Sequence, residues 1–363
     1  MELGSVPLEN MEIGSFYKNK TVLVTGHSGF KGSWLLSILE YFGANCIGYS
    51  LLPNSNPSHF ELLNTKGKSY FSDLNDYVSV QAALNETQPE IVFHLAAQPL
   101  VRESYRDPIY TYQTNVMGTL ALLQAVRNCS SVKALIIITT DKVYENKEWD
   151  YPYRENDQLG GYDMYSSSKA CAEILVNSFK RSFLNEDSIL VATARAGNVI
   201  GGGDWSSDRL IPDIVKATAN RESVVIRNPD SVRPWQHILD CLYGYLLLGQ
   251  KLLQGEGQFA KAWNFSPYNS EACSVRQVTN LAVQSWSEVK VEFGKPADLF
   301  HEAKTLKLDN SQSVATLGWR PIWNTEKSVQ KTIEWYKEFY STGKLLTQPQ
   351  IEEYFSAHGI LKN

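Results

Sequence analysis

Thr21-Val22-Leu23-Val24-Thr25-Gly26-His27-Ser28-Gly29-Phe30-Lys31-Gly32 decides the fold of this 363-residue chain. A β-branched run, Thr21–Thr25, enters a glycine turn spaced GxxGxxG, and helical apolar spacing follows over Gly32–Tyr41. Strand, tight turn and helix in that order open a dinucleotide-binding unit. One glycine makes the turn, another lets the backbone meet a pyrophosphate, and a third permits close helix–strand contact. The helix N-terminus then offers N–H groups to phosphate. A glycine turn without a ligand is the bland alternative, and only the strand before and the helix after outweigh it.

Outward from this unit the pattern repeats. Asn45–Tyr49, Ser69–Ser72, Ile91–Leu95, Leu135–Thr139 and Ile189–Thr193 read as strands, with helical spacing between them, as over Asn115–Val126. Strands apolar throughout suit a sheet covered on both faces, and strand–helix alternation makes that sheet parallel. The expected fold is therefore α/β, a Rossmann-type doubly wound parallel sheet with a smaller C-terminal substrate-binding lobe. Residues 17–195, with a returning segment at about 232–268, form the sheet domain; 196–231 and 269–345 form the lobe. Short strands near Val224–Arg227 and Trp263–Ser266, an apolar segment at Cys241–Gly249 and a helix at Thr325–Phe339 complete the reading.

Composition narrows the function. A net charge of −5 gives no electrostatic footprint for nucleic acid. No apolar run approaches the ~20 residues that span a bilayer, and residues 1–15 lack the basic start and apolar core of a secretion signal. Cys46, Cys129, Cys171, Cys241 and Cys273 are odd in number and contain no CxxC pair, which suits reduced thiols in a cytoplasmic protein. The six histidines show no HxxxH or HxH spacing, so no metal is expected.

At the cofactor end an acidic residue normally stands about twenty residues beyond the glycines to hold the adenine ribose. Cys46–Ser50 contains none, nor an arginine for a 2′-phosphate, so the residues leave NAD and NADP open. Ser50 is a neutral substitute, and Asp73-Leu74 falls where adenine would be met, although a surface turn explains that aspartate equally. At the reacting end stands Tyr165-Ser166-Ser167-Ser168-Lys169. Residues four apart share a helix face. A lysine ammonium beside a phenol favours phenolate and is expected to draw the tyrosine pKa from about 10 toward neutrality. The pair alone is a weak signal; joined to the glycine turn and to Thr140 at a strand end it is a strong one.

This combination resembles the short-chain dehydrogenase/reductase superfamily in its extended, sugar-nucleotide branch, over about Lys20 to Tyr340. His94-Leu95-Ala96-Ala97-Gln98, Thr114-Asn115, Thr139-Thr140-Asp141-Lys142 and Arg195-Ala196-Gly197-Asn198-Val199 agree with it. The Lys142 variant of the catalytic triplet, Gly201-Gly202-Gly203-Asp204-Trp205, Asp208-Arg209-Leu210-Ile211-Pro212-Asp213 and Arg233-Pro234-Trp235-Gln236-His237 look like the 4,6-dehydratases that act on CDP-glucose. The resemblance implies a sheet domain that binds NAD and a lobe that binds the sugar nucleotide. It also implies oxidation at C4 of the hexose, loss of water across C5 and C6, and reduction at C6 with the cofactor regenerated.

Carried over position by position, Tyr165 is the base at O4, Thr140 bonds the same oxygen, Lys169 tunes Tyr165 and holds the nicotinamide ribose, and Asp141 protonates the departing 6-hydroxyl. Gly26, His27, Ser28, Gly29, Phe30, Lys31, Gly32, Ser50, Asp73, Leu74, Leu95, Ala96, Ala97, Gln98 and Thr114 would line the cofactor. Lys142 stands where relatives carry a glutamate that takes the C5 proton. A neutral lysine base would need its pKa lowered from about 10.4, so a cation stabilising the enolate and a plain structural lysine stand beside that reading. For the substrate, Arg233 and Arg209 suit diphosphate because a planar guanidinium takes two oxygens at once. Asn198 would donate to phosphate, Leu210 and Ile211 would flank the base, and His237 is a weaker candidate that could simply pack. Arg195 reads as structural, and His94 as a satisfied core or near-cofactor residue in place of a metal ligand. Epimerisation at C4 on the same fold, another nucleotide-sugar dehydration, and a non-catalytic NAD(P)-sensing role are the rivals. A homo-oligomer, a dimer or a dimer of dimers, follows from the resemblance alone.

Overall fold

The computed structural model describes residues 13–184, 189–268, 271–294 and 303–357. Strands β1 (Thr21–Thr25), β2 (Asn45–Ser50), β3 (Lys68–Phe71), β4 (Ile91–His94), β5 (Ala134–Ile138), β6 (Leu190–Ala196), β7 (Asn198–Ile200), β8 (Ser223–Ile226), β9 (Val232–Arg233), β10 (Trp235–His237), β11 (Ala262–Phe265), β12 (Cys273–Ser274) and β13 (Lys290–Phe293) follow in chain order. Seven of them form one sheet in the order β11-β6-β5-β4-β1-β2-β3, and every pairing in it is parallel. The chain starts in the middle, winds outward to β3, then crosses β1 to build the other half. That reversal is the switch point where doubly wound sheets bind dinucleotides.

Helices α1 (Ile13–Tyr17), α2 (Phe30–Tyr41), α3 (His59–Leu63), α4 (Tyr77–Thr87), α5 (Val101–Arg106), α6 (Pro108–Tyr112), α7 (Gly118–Arg127), α8 (Met164–Phe183), α9 (Leu210–Ala219), α10 (Ile238–Leu253), α11 (Val275–Ser285), α12 (Thr325–Thr342) and α13 (Thr347–Ala357) cover the faces. Their packing explains why β5 is apolar at every position. Ala134, Ile136 and Ile138 enter the core beneath α2 and α10, whereas Leu135 and Ile137 enter the one beneath α4, α7 and α8. Alternate side chains point to opposite faces, so a strand covered twice needs apolar residues throughout.

Two local departures have tertiary causes. The helix expected at Asn115–Val126 opens as a wide π turn over Gln113–Met117 before α7 begins. Within that turn Asn115 accepts from the Gln98 backbone N–H at 2.8 Å and donates to Ser168 at 2.9 Å, so it ties two neighbours together. The second departure is α13, which polar spacing hides. Its first residue, Thr347, bonds the His59 ring at 2.8 Å, and Tyr354 donates to the buried Asp240 carboxylate at 2.8 Å.

After β6 the chain leaves the sheet and forms two-stranded pieces, β7 with β10, β9 with β12, and β8 with β13. It returns through α10, which packs on β5 and β6, and β11 then extends the sheet beside β6. Cys46, Cys129 and Cys241 are buried, Cys171 and Cys273 partly so, and all five are free thiols. Among the described residues no helix is long and apolar enough to cross a membrane, and no cluster of His, Cys, Asp or Glu could hold a metal ion.

Candidate active site

The turn after β1 leaves no room for side chains. Gly26 has φ +72, and a Cβ there would stand 2.6 Å from the Ala96 backbone nitrogen; one on Gly32 would stand 2.1 Å from the Gly26 carbonyl oxygen. No side chain caps α2 at Gly29, so its first N–H groups face the turn as an anion site. Thr114 adds a buried hydroxyl with no partner among the described residues. A close backbone approach, an uncapped helix and an orphaned hydroxyl fit a dinucleotide.

Around this cradle, Ser50 donates to Ser28 at 2.9 Å. His27 is buried, bonds Ser69 at 3.0 Å, and is held neutral by burial, which pushes its pKa down to about 4. Leu95, Ala96 and Ala97 follow β4 and are half-buried, while Leu74 is buried beneath Gly118. The Asp73 carboxylate folds back onto Asn75 at 2.8 Å. Gln98 spends its amide on Leu100 and Thr111, so its side chain serves the loop and not a ligand. His94, read as a core or near-cofactor residue, bonds Thr25 and Thr119 through its two ring nitrogens.

The reacting groups converge where β5 ends. Helix α8 presents Tyr165, Lys169 and Glu173 along one face at spacings of four, and all three are buried. Asp163 caps that helix, accepting from the Ser166 N–H at 2.8 Å and its hydroxyl at 2.6 Å. Asp163→Ala should therefore cost about 1 kcal/mol, read as a lower urea midpoint. An unchanged midpoint would mean that packing alone fixes α8.

Thr140 begins a short 3₁₀ turn, Asp141–Val143. Its hydroxyl donates to Asp141 Oδ1 at 3.0 Å, and its influence pulls the Tyr165 pKa down. Asp141 is buried, and its Oδ2 has no partner among the described residues. A Cβ on Gly197 would stand 3.1 Å from that oxygen, so glycine keeps the space beside it open. Burial pushes the Asp141 carboxyl up, against the opposing pull of Lys142, Thr140, Arg233 and Lys31. Lys142 is the largest of those opposing pulls, and burial outweighs it. The Lys142 side chain, half-buried, makes no hydrogen bond or ion pair among the described residues.

The expectation for the tyrosine needs correction. Burial pushes the Tyr165 phenol up to about 12, with Thr140 and Arg209 pulling the other way. Lys169 does not offset this, because its ammonium donates to the Ile138 carbonyl at 3.0 Å and burial, with Lys31 nearby, lowers its own pKa to about 8.

At the sugar-nucleotide end the candidates separate. Arg209 is half-exposed and pairs with Asp204 at 3.1 Å, and Asn198 opens β7 half-buried. Arg233 is buried, its guanidinium donating to the Val232, Lys304 and Ala303 carbonyls. Leu210 keeps some surface, but Ile211 is only 2% exposed inside the core, which leaves it for packing. His237 takes the packing role that its sequence also allows: its Nδ1 caps α10 through the Leu239 N–H at 3.3 Å and its ring packs on Trp323 at 4.6 Å. That fully buried ring belongs to the core. Arg195 is structural, bonding Glu173 at 2.9 Å and Tyr144 at 2.8 Å. Glu173, which stands outside the candidates named from sequence, gathers Thr139, Thr193 and Arg195. Its place one helical turn beyond Lys169 was the available signal.

A sheet of this order, a glycine cradle at its switch point and a Tyr–Lys helix facing a strand-end threonine define an extended short-chain dehydrogenase/reductase. The chain belongs to the family described as GDP-mannose 4,6 dehydratase, which matches residues 23–332. It is 44% identical to a CDP-glucose 4,6-dehydratase of Salmonella typhimurium, over 94% of this chain and 98% of the relative. A dTDP-glucose 4,6-dehydratase of Xanthomonas campestris is 27% identical, over 87% of this chain and 93% of the relative. A dTDP-glucose 4,6-dehydratase of Streptomyces venezuelae, solved with NAD bound, superposes with a TM-score of 0.75 at 22% identity, over 87% of this chain and 97% of that one.

Proposed function

We propose that this protein is a nucleotide-sugar 4,6-dehydratase that converts CDP-glucose to CDP-4-dehydro-6-deoxyglucose and water, a step of deoxysugar biosynthesis, with NAD recycled in each turnover. The observation that carries this reading is Asp141, a buried carboxyl with one unpartnered oxygen, its other oxygen accepting from the Thr140 hydroxyl. An epimerase rotates a 4-ketone and has no leaving hydroxyl to protonate, so a poised acid here serves elimination. The nucleobase follows the Salmonella relative.

The glycine turn Gly26–Gly32, Thr114 and Lys169 would hold NAD. When bound, NAD supplies a two-electron acceptor for C4, a donor for C6 and a positive charge that favours phenolate. The remaining work falls to side chains. Tyr165 takes the proton from the 4-hydroxyl, with Thr140 bonding the same oxygen, and a ketone forms at C4. That ketone acidifies the C5–H. The C5 proton passes to solvent in the site, and Asp141 gives its proton to the 6-hydroxyl as water leaves. Lys142 stabilises the negative charge that develops at O4, and a solvent proton returns to C5 once C6 is reduced. The charge of Lys142 already reaches Asp141 on the same turn. Lys142→Met should slow both turnover and solvent-deuterium entry at C5 by about tenfold or more. Full turnover with unaltered exchange would remove Lys142 from the chemistry.

Arg233, Arg209 and Asn198 serve the diphosphate in this reading, with Leu210 against the base. The sheet domain and the lobe divide at residues 195–196, and catalysis takes place in the cytoplasm. Two copies pair through α8 and the helical segment made of the π turn and α7, where Ile174 and the turn's Met117 leave more than half of their surface exposed. Light scattering should give twice the chain mass, and Ile174→Glu should return it to one. The assigning experiment offers CDP-, dTDP-, UDP- and GDP-glucose and follows the 4-keto chromophore in base. Turnover of CDP-glucose is expected, and its absence would overturn the proposal.

A further inference from the structure

A chain of hydrogen bonds starts in the C-terminal helices and ends on the glycine turn. Trp335, on α12, donates its indole N–H to the Thr347 hydroxyl at 3.0 Å. Thr347 opens α13 and bonds Nε2 of His59 at 2.8 Å. The other ring nitrogen, Nδ1, lies 2.8 Å from the Ser33 hydroxyl, and Ser33 donates to the Phe30 carbonyl at 2.9 Å. Phe30 is the first residue of α2. These contacts allow one direction only. Ser33 has a single hydroxyl proton and gives it to Phe30, so His59 donates from Nδ1 and accepts at Nε2. Thr347 then donates to that nitrogen while accepting from Trp335. The chain is complete only with a neutral imidazole, and burial keeps it so, pushing the His59 pKa down to about 3.

We propose that His59 is a positioning residue for the dinucleotide: through Ser33 and Thr347 it lets the C-terminal helix α13 set the aim of the N–H groups offered to pyrophosphate. This rests on the glycine turn holding NAD. A peptide group is planar, so anchoring the Phe30 carbonyl fixes the Lys31 N–H on the other side of that bond. That N–H is one of those left uncapped at the start of α2. Core packing does not call for such a chain. Trp335, Thr347, His59 and Ser33 are at most 3% exposed, and apolar side chains would fill the space with no buried polar group to satisfy. A serine bonding the carbonyl three residues back needs no histidine either. The ring adds two nitrogens on different edges, which carry one hydroxyl's orientation to another element. Its seat is closely built. A Cβ on Gly203 would stand 2.5 Å from His59 Cγ, and Trp34 and Trp335 pack on the ring at 5.4 and 5.6 Å.

The test measures NAD binding to the full chain, stripped of cofactor, by calorimetry, with a urea midpoint for each variant. Thr347→Val keeps the shape and removes the hydroxyl at a residue outside the glycine turn. It should raise the Kd for NAD by about three- to tenfold. The KM for NAD should rise with it, and kcat at saturating NAD should stay within about twofold. Thr347→Ser keeps the hydroxyl and should bind NAD as the parent does. Ser33→Ala should weaken NAD as Thr347→Val does, and the double variant should lose no more than Ser33→Ala alone, because links of one chain do not add. A lower urea midpoint with unchanged NAD affinity in Thr347→Val would make the chain a packing feature and overturn the proposal. Additive losses, or a Thr347→Ser variant as weak as Thr347→Val, would overturn it too. A wild-type chain that binds no NAD would overturn the dinucleotide reading itself, a result the variants cannot mimic.

Discussion

Tyr165→Phe is expected to lower kcat on CDP-glucose by about 10²- to 10⁴-fold, the usual worth of a positioned acid–base group. The substitution deletes one oxygen and keeps the ring, which is 9% exposed and packed at the start of α8. Thr140 keeps Asp141 at 3.0 Å, so no hydroxyl is orphaned and the melting temperature should hold. Lys169 remains on the Ile138 carbonyl, and retention of NAD, read by fluorescence, should be unchanged. The combination of a large loss in rate with intact folding and cofactor binding is the signature of an acid–base role. A variant turning over within a fewfold of the parent would place the proton transfer elsewhere.

Asp141→Asn should be comparably severe and should stop the reaction at a different point. The amide keeps the shape and can still accept from Thr140, but it has no acidic proton for the departing 6-hydroxyl. Net dehydration should fall by about 10²- to 10⁴-fold, while quenching of concentrated enzyme should release a 4-keto hexose that still bears its 6-hydroxyl. Burial holds the Asp141 carboxyl above the ordinary aspartate range, and its proton-donating form exists below that raised pKa. The dehydration rate should therefore decline as pH rises through it, and the decline should be missing from the Asn variant. Recovery of unmodified glucose alone would mean that Asp141 is needed before the elimination.

The sheet was legible because its strands are covered on both faces, as Leu135-Ile136-Ile137-Ile138 shows by dividing its side chains between two cores. The reacting groups were legible because short spacings on regular elements set them, four residues on α8 and one turn after β5. Properties fixed by distant parts of the chain were not. The pKa of Tyr165 follows from how deeply α8 is buried and from the carbonyl that captures Lys169, and no pentapeptide records either. His237 sits in a motif string, yet Trp34 and Trp323 enclose its ring. The π turn at Gln113–Met117 depends on bonds from Asn115 to Gln98 and Ser168. Ser33 and Thr347 lie toward opposite ends of the chain, and only the fold brings both to His59.

The central claim is that electrons taken from C4 are returned to C6 of the same sugar. CDP-glucose carrying deuterium at C4, incubated with the NAD-loaded enzyme and no other oxidant, should yield a 4-keto-6-deoxy product with deuterium in its 6-methyl group. Loss of that label to solvent, one equivalent of NAD consumed per sugar, or recovery of untouched CDP-glucose would contradict the account.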